Sequence, residues 1–513
     1  MTRTGILGLC SGAAILAAAL AAILALIGVA SSDVVWGAGD WAALRFTLVQ
    51  ALLSTVGSVA VALPLARALA RRRFRGRDLL VTAMGAPFLL PVLVAVLGLL
   101  AIWGRNGALS ALLVMAGAER LNIYGLTGVV MAHMFFNIPL VTRLVLQGWA
   151  TIPAEHLRLA AQLDFGAGAR WRLIEWPMLR TVLPGAALLV FLLCITSFSI
   201  ALTLGGGPAA TTIELAIYQA IRFDFDLPRA GVLALVQTGL CLVVAGLLMA
   251  AGRAGEARGG MIAPQAGLIR AGRWIDIPLI IGVALFLATP LAAVIWRGLP
   301  ALPELPHAVI EAAVRSVAVA LASATLAVLT GTLVAIGLAG LGTRYPALAR
   351  AGEGAMLIVL AISPFVLATG WFVILRGRVD LVSLALPMVV VINALMALPF
   401  VLRSLVPAVA LALRTDGRLA ASLGFGPWAR ARHVLLPHLR APAGFAAGLA
   451  AALSMGDLGV IALFGSTETA TLPLVMYQLM GAYRMDAAAS AALLLLGLSF
   501  GLFAVLDRMG RAG

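Results

Sequence analysis

Long apolar stretches recur from one end of the chain to the other, separated by short segments in which glycine, proline and arginine collect. Each has the length a helix needs to cross a bilayer, roughly 20 residues for about 30 Å of hydrocarbon. In the first half they lie near residues 6–29, 43–66, 79–103, 125–147, 181–203 and 230–252. In the second they lie near 275–296, 309–339, 352–375, 381–402, 441–464 and 488–506. They are rich in Ala and Leu and show no alternation of period two, so they predict helices that satisfy their own backbone groups rather than barrel strands. The expected fold is all-α, a polytopic membrane protein of about twelve transmembrane helices. The first run, Ile6 to Val29, exceeds the usual apolar region of about 7–15 residues in a cleaved signal, which predicts a retained helix.

Composition strengthens this picture: 62% of the residues are hydrophobic and 11% charged, a balance no soluble domain has. The net charge of +15 could suit nucleic acid, but all of the Lys/Arg excess is arginine and it clusters between spans. The densest run, Arg67, Arg71, Arg72, Arg73, Arg75 and Arg77, sits where the positive-inside rule places orientation signals. With Arg3 inside, the basic segments 155–180, 253–273 and 414–440 and both termini are cytoplasmic. The acidic residues Glu214, Asp224, Asp226, Glu468 and Asp486 then lie outside, as solvated loop charge or as docking points for a partner. The bilayer, not nucleic acid, is the expected partner. Cys10, Cys194 and Cys241 are single and far apart, which predicts small core residues and neither a disulfide framework nor a metal cluster. His433 and His438, five apart, do not share a helix face, so no metal site is expected there.

An internal repeat organises the chain. Pro139, Arg143 and LRLAAQLDFGAGARWRLIEWPMLR (157–180) are matched by Pro399, Arg403 and GRLAASLGFGPWARARHVLLPHLR (417–440). TIELAIYQ (212–219) is matched by TLPLVMYQ (471–478). The division that follows is one repeat over 1–252, a basic linker over 253–273 and a second repeat over 274–513, both inserted in the same sense. Each repeated loop predicts a short helix holding Ala160 and Ala161, or Ala420 and Ala421. A sharp turn permitted by Gly166 or Gly424 follows, then a second basic helix ending before Pro177 or Pro437. A hairpin resting on lipid headgroups is the alternative to a docking element, and duplication at matched positions favours docking.

Within the spans Asp457 stands out, because an acid at the centre of a membrane helix costs on the order of 2.5–3.5 kcal/mol and should face a cavity or a partner. A structural hydrogen bond to a neighbouring helix is the competing reading. Its repeat counterpart is Ser197. Asn137, Asn393, Arg143 and Arg403 read as anchors or hydrogen-bond partners.

The repeated loops resemble the cytoplasmic motif of binding-protein-dependent ABC importer permeases: Glu-Ala-Ala, three residues, Gly, nine residues, Ile, one residue, Leu-Pro. The second copy carries Ala420, Ala421, Gly424, Val434, Leu436 and Pro437. The first carries Ala160, Ala161, Ile174 and Pro177, with Asp164 at the glycine position and Trp176 at the leucine position. Leu159 and Leu419 stand where the family often has glutamate. The resemblance runs over nearly the whole chain and is strongest to the thiamine branch, through RRRFRGR (71–77), LPVLVAVLGLLAIWGRNG (90–107), AHMFFNIPL (132–140), LGGGPAATTIELAIYQAI (204–221), LSMGDLGVIALFGS (453–466) and TLPLVMYQLMGAYR (471–484). Fused ferric-iron permeases share the duplicated plan, so iron remains an alternative cargo.

The resemblance implies two tandem type I permease repeats in a bacterial inner membrane, working by alternating access with two copies of an ABC ATPase and a periplasmic thiamine-binding protein. ATP and Mg would sit on the ATPase, with no cofactor on this chain. The sequence agrees, since a Walker A loop needs a lysine and there is none. The resemblance assigns ATPase coupling to Ala160, Ala161, Asp164, Gly166, Pro177, Ala420, Ala421, Gly424 and Pro437. Asp457 and Ser197 are pathway candidates, as are Tyr218 and Tyr477, which could line a gate or stack on the cargo rings. An aromatic belt at the interface is the favoured alternative for the two tyrosines. A secondary transporter has no reason to duplicate such a loop, a channel leaves the paired loops unexplained, and a membrane enzyme would need a clustered nucleophile or acid pair that is missing.

Overall fold

Thirteen of the fourteen principal helices contain glycine or proline, and it is where these residues cluster that the apolar runs break rather than cross in one piece. The computed structural model describes residues 3–30, 34–253, 273–342, 345–380 and 382–511. The expected linker, apart from its two end residues, lies outside them. The first half contains α1 (Arg3–Val29), α2 (Ala38–Arg71), α3 (Val92–Trp103), α4 (Leu126–Ala150), α5 (Trp176–Ile195), α6 (Ile213–Arg222) and α7 (Leu227–Arg253). The second contains α8 (Arg273–Gly298), α9 (His307–Gly342), α10 (Pro364–Leu375), α11 (Ala385–Thr415), α12 (Leu436–Met455), α13 (Leu472–Gly481) and α14 (Met485–Arg511), in the same order. There is no strand among the described residues.

Ten helices among the described residues are long and apolar enough to cross a membrane. Several expected spans are broken. Run 79–103 splits into Arg77–Ala83 and α3 around Gly85, Pro87 and Pro91, and run 352–375 splits at Ser363 into Pro346–Ala361 and α10. Runs 181–203 and 441–464 break at Thr196–Ser197 and at Gly456–Leu458, each continuing as a short helix, Phe198–Leu204 and Gly459–Phe464. Proline removes a helical donor and clashes with the carbonyl four residues back. Such breaks survive at membrane depth only where the freed backbone is buried in protein or faces a cavity.

The halves are interlocked by their first helices. Helix α1 packs on α9 and α10 of the second half, and α8 packs on α3 of the first half as well as on α14. Glycines permit these crossings: a Cβ on Gly8 of α1 would lie 2.0 Å from the Leu333 carbonyl oxygen of α9, one on Gly98 of α3 would lie 2.4 Å from that of Pro290, and one on Gly370 of α10 would lie 2.5 Å from that of Ala22. Without a hydrophobic drive between helices in lipid, close backbone approach of this kind supplies the packing energy.

Ion pairs define the two ends of the bundle. At one end Glu175 meets Arg67 at 2.8 Å and Arg71 at 3.3 Å, and Arg72 meets Asp276 of α8 at 2.7 Å. Arg67 also lies 4.8 Å over the Trp171 ring. This basic end gathers the repeated loops, so part of the arginine run is structural as well as topological. At the opposite end Arg229 of α7 holds Asp40 of α2 at 2.8 Å. Cys194 and Cys241 are buried as expected, whereas Cys10 is exposed on α1.

Candidate translocation cavity and docking loops

The helix breaks of both halves converge on one cavity of about 400 Å³. Its walls include Pro91, Asn137, Ser197, Ser363, Asn393 and Asp457. Along α4 and α11 the lining continues through Leu140 and Phe400 toward the basic end. At the other end Phe198 and Phe365, one from each half, stack with centroids 4.7 Å apart and planes 13° from parallel. Tyr218 packs edge-on against Phe198 at 5.3 Å.

The duplicated register places polar groups in matched positions around this cavity. In the first half Ser54 Oγ lies 3.2 Å from His133 Nδ1, and His133 Nε2 bonds Ser197 Oγ. In the second half the Asn393 amide donates to Ser454 at 3.0 Å, and Ser454 lies 3.2 Å from Ser323. His133 and Asn393 each stand six residues before the repeated proline, Pro139 or Pro399. That register was the signal by which sequence reading could have found His133, which it passed over. A second matched device holds the short helices: Thr47 of α2 accepts from the Ile213 amide at 2.9 Å, and Ser316 of α9 accepts from the Leu472 amide at 2.8 Å.

The repeated loops share one backbone. Helix Ala154–Gln162 ends with Asp164 at φ 52°, and helix Gly417–Ser422 ends with Gly424 at φ 68°. The amides of Phe165 and Phe425 reach back to the carbonyls of Ala160 and Ala420, each at 2.9 Å. This is a Schellman-type stop, which needs a left-handed residue. Asp164 therefore occupies the turn position, and Gly166, at φ −61° ahead of Ala167–Arg170, is not the turn residue that its sequence suggested. Nor does the second helix stop before the proline. It passes through π turns, Trp171–Glu175 and Ala431–Leu435, straight into α5 and α12, with Pro177 and Pro437 in the first turn. The wider π turn relieves the contact that a proline ring makes with the preceding turn.

Because an ordinary side chain in the left-handed region costs about 1 kcal/mol, Gly424→Ala should lower stability by about that amount. Asp164→Gly should change it by less than about 0.5 kcal/mol, aspartate being tolerant of this conformation. Unfolding curves of the detergent-solubilised variants check both.

The alanines divide their work. Ala160 and Ala420 are buried, while Ala161 is exposed. Beside them Leu159, Leu163, Leu419 and Leu423 are each more than half exposed, as is Trp428 at 76%. Together they form a solvent-facing leucine ridge on a basic loop.

No protein-family profile matches the chain. The thiamine transport system permease protein ThiP of Brucella abortus (strain 2308) is 42% identical over 476 residues, 91% of this chain and 87% of its own. That of Escherichia coli (strain K12) is 41% identical over 513 residues, 96% of this chain and 94% of its own. The chain belongs to the thiamine transport system permease family. A molybdenum transport system permease protein, ModB of Azotobacter vinelandii, is 29% identical over 178 residues, which is 78% of that protein but 35% of this one.

In this family member one acid does not stand where the sequence put it. Glu214, expected in an outer loop as a docking point, is 1% exposed on α6 and faces the cavity, bonded to Ser363 of the other half. The reason is that α6 is a short helix tucked between the long ones rather than a surface loop, and its buried face includes Glu214. Asp224 is exposed but lies 3.7 Å from Arg229, and Asp226 accepts from the Arg229 amide at 3.0 Å at the start of α7. Glu468 and Asp486 are exposed. Tyr218 and Tyr477 are both partly buried against the core and are not among the cavity-lining residues. Asp457 and Ser197 both reach the cavity.

Proposed function

We propose that this permease carries thiamine or its phosphates from a periplasmic binding protein to the cytoplasm by alternating access, driven by two copies of an ABC ATPase that hold ATP and Mg. The observation that carries this reading is the pairing of a cavity between the halves, roofed by the Phe198–Phe365 stack, with two exposed leucine loops at the opposite, basic end. A cavity roofed on one side and extending toward the other is what one state of an alternating-access device requires. The names of the relatives support thiamine as cargo. The short molybdenum relative, nearly spanned by a third of this chain, supports the division into repeats at 1–252 and 274–513.

On this reading the basic end and both termini are cytoplasmic, in the bacterial inner membrane, as the arginine distribution supports. Ala161 and the leucines of the loops touch the ATPase. Ala160, Ala420, Asp164, Gly424, Gly166, Pro177 and Pro437 shape the loops, and Ala421 completes the repeated Ala-Ala pair in the sequence. Tyr218 and Tyr477 back the aromatic roof, which parts when the loops are drawn together. Ser197 and Asp457 line the route. Asp224, Glu468 and Asp486 remain on the face that receives the binding protein, with Asp226 fixing the adjacent helix start.

The test is ATP hydrolysis and thiamine uptake in liposomes holding the chain with its ATPase and binding protein. Thiamine should stimulate both. Leu419→Glu should weaken ATPase docking by about 2 kcal/mol, roughly thirtyfold. Absence of ATPase binding by the unaltered chain overturns the importer reading.

A further inference from the structure

Two carboxyl groups line the cavity, one from each half, and each has a buried oxygen without a hydrogen bond of normal geometry. Glu214 accepts from the Ser363 hydroxyl through one oxygen, while its Oε2 is buried and has no hydrogen-bond partner. Asp457 accepts from the Val460 amide at 3.4 Å through Oδ1 and has the Asn393 side chain beside it, while its Oδ2 is buried and makes no hydrogen bond of normal geometry. Both residues line the cavity. The Asp457 carboxylate stands beside the aromatic roof: a Cβ placed on Gly459 would lie 3.8 Å from Asp457 Oδ1, 3.6 Å from the Phe198 ring and 3.9 Å from that of Phe365.

An acid kept only for a structural hydrogen bond uses its oxygens, because an unsatisfied buried acceptor costs about 1–3 kcal/mol. Two such acceptors facing one space point to a ligand that completes them. The acids are also not a shared scaffold of the duplication. In the other repeat Glu214 is matched by Pro473 and Asp457 by Ser197, whereas the packing hydroxyls Thr47 and Ser316 occur as a pair. No arginine is among the cavity-lining residues, so the field there is acidic. Two carboxylates beside a stacked phenylalanine pair suit a flat organic cation, which gains from the ring faces within about 6 Å. A metal ion is less well served, since no three His, Cys, Asp or Glu side chains gather among the described residues.

We propose that Glu214 and Asp457 form a cation-binding site against the Phe198–Phe365 roof that takes the positively charged heteroaromatic ring of the cargo. The proposal rests on the functional reading above and names the part of the cargo that this site reads.

The experiment compares uptake of thiamine with uptake of its neutral analogue, in which thiophene replaces the thiazolium ring, by the complete reconstituted importer. Glu214→Gln and Asp457→Asn keep the size of the side chains and an acceptor for Ser363 and Val460 while removing the charge. Each should lower the thiamine-to-analogue ratio about tenfold relative to wild type, as loss of a close charge partner in a shielded site predicts. The binding protein is the same throughout and cancels from the comparison. Wild-type uptake of thiamine with an unchanged ratio in both variants overturns the cation site alone. No thiamine uptake by wild type overturns the functional reading and this site with it. If a variant does not assemble, the wild-type permease without its binding protein decides: millimolar thiamine should raise its unfolding midpoint in detergent and the thiophene analogue should not, and equal shifts overturn the site.

Discussion

Leucine at Gly370 or at Gly98 is expected to unseat the contact between the two halves. Each glycine lies where the first helix of one half crosses a short helix of the other, and even a methyl group there would sit 2.4–2.5 Å from a backbone carbonyl oxygen. Backbone cannot swing aside as a flexible side chain can, so α1 or α8 must move off its seat. Overpacking of this kind costs about 1–3 kcal/mol for a methylene or two, and a leucine lies at or above the upper limit. Because α1 and α8 bridge the halves, the loss should appear as a fall in unfolding midpoint together with increased proteolysis at the opposite end of the bundle. Gly28→Leu is the control, since a Cβ there has nothing within 4 Å. Equal midpoints for Gly370→Leu and Gly28→Leu would refute the close crossing.

The second large effect is expected at Glu175. Its side chain is 6% exposed and faces Arg67 and Arg71, whose own side chains are 26% and 12% exposed. Replacing it with glutamine leaves two guanidinium groups in a partly buried site without their direct ion-pair partner, with only Asp276 acting on Arg67 from farther off, and breaking a buried pair in this way costs about 3 kcal/mol. Glu175 ends the π turn between the first repeated loop and α5, so the same change should loosen that loop and, on the proposed function, reduce thiamine-stimulated ATP hydrolysis more than basal hydrolysis. The second loop is held differently. Leu435 takes the place of Glu175 and joins an apolar cluster with Ala412, Ala420 and Val434. High salt should therefore weaken the unaltered first loop and spare the second. Hydrogen exchange of the two loops in low and high salt measures that difference, and equal sensitivity would sink it.

Much of this architecture is legible in the residues. Apolar length and arginine placement determine an all-helical membrane chain, because bilayer thickness and backbone satisfaction leave no other solution for runs of that size. The repeated loops could be read from fixed spacing alone. Asp457 could be singled out as facing a cavity because an acid at membrane depth needs a partner or water.

Other features depended on partners hundreds of residues away. Glu214 looked like loop charge because it falls between the apolar runs 181–203 and 230–252. Only the packing of α6 beneath the long helices buries it against Ser363. The role of Asp164 was hidden because its φ of 52° is a property of the turn and not of the residue type. Gly98 and Gly370 were two glycines among 54 in the sequence. What sets them apart, together with Gly8, is a carbonyl on a helix from the other half. Local chemistry in this chain determines which segments enter the membrane and where they bend. Which side chains share the cavity is decided when the two halves interlock, since that contact depends on the crossing of helices whose mutual distance no local preference encodes.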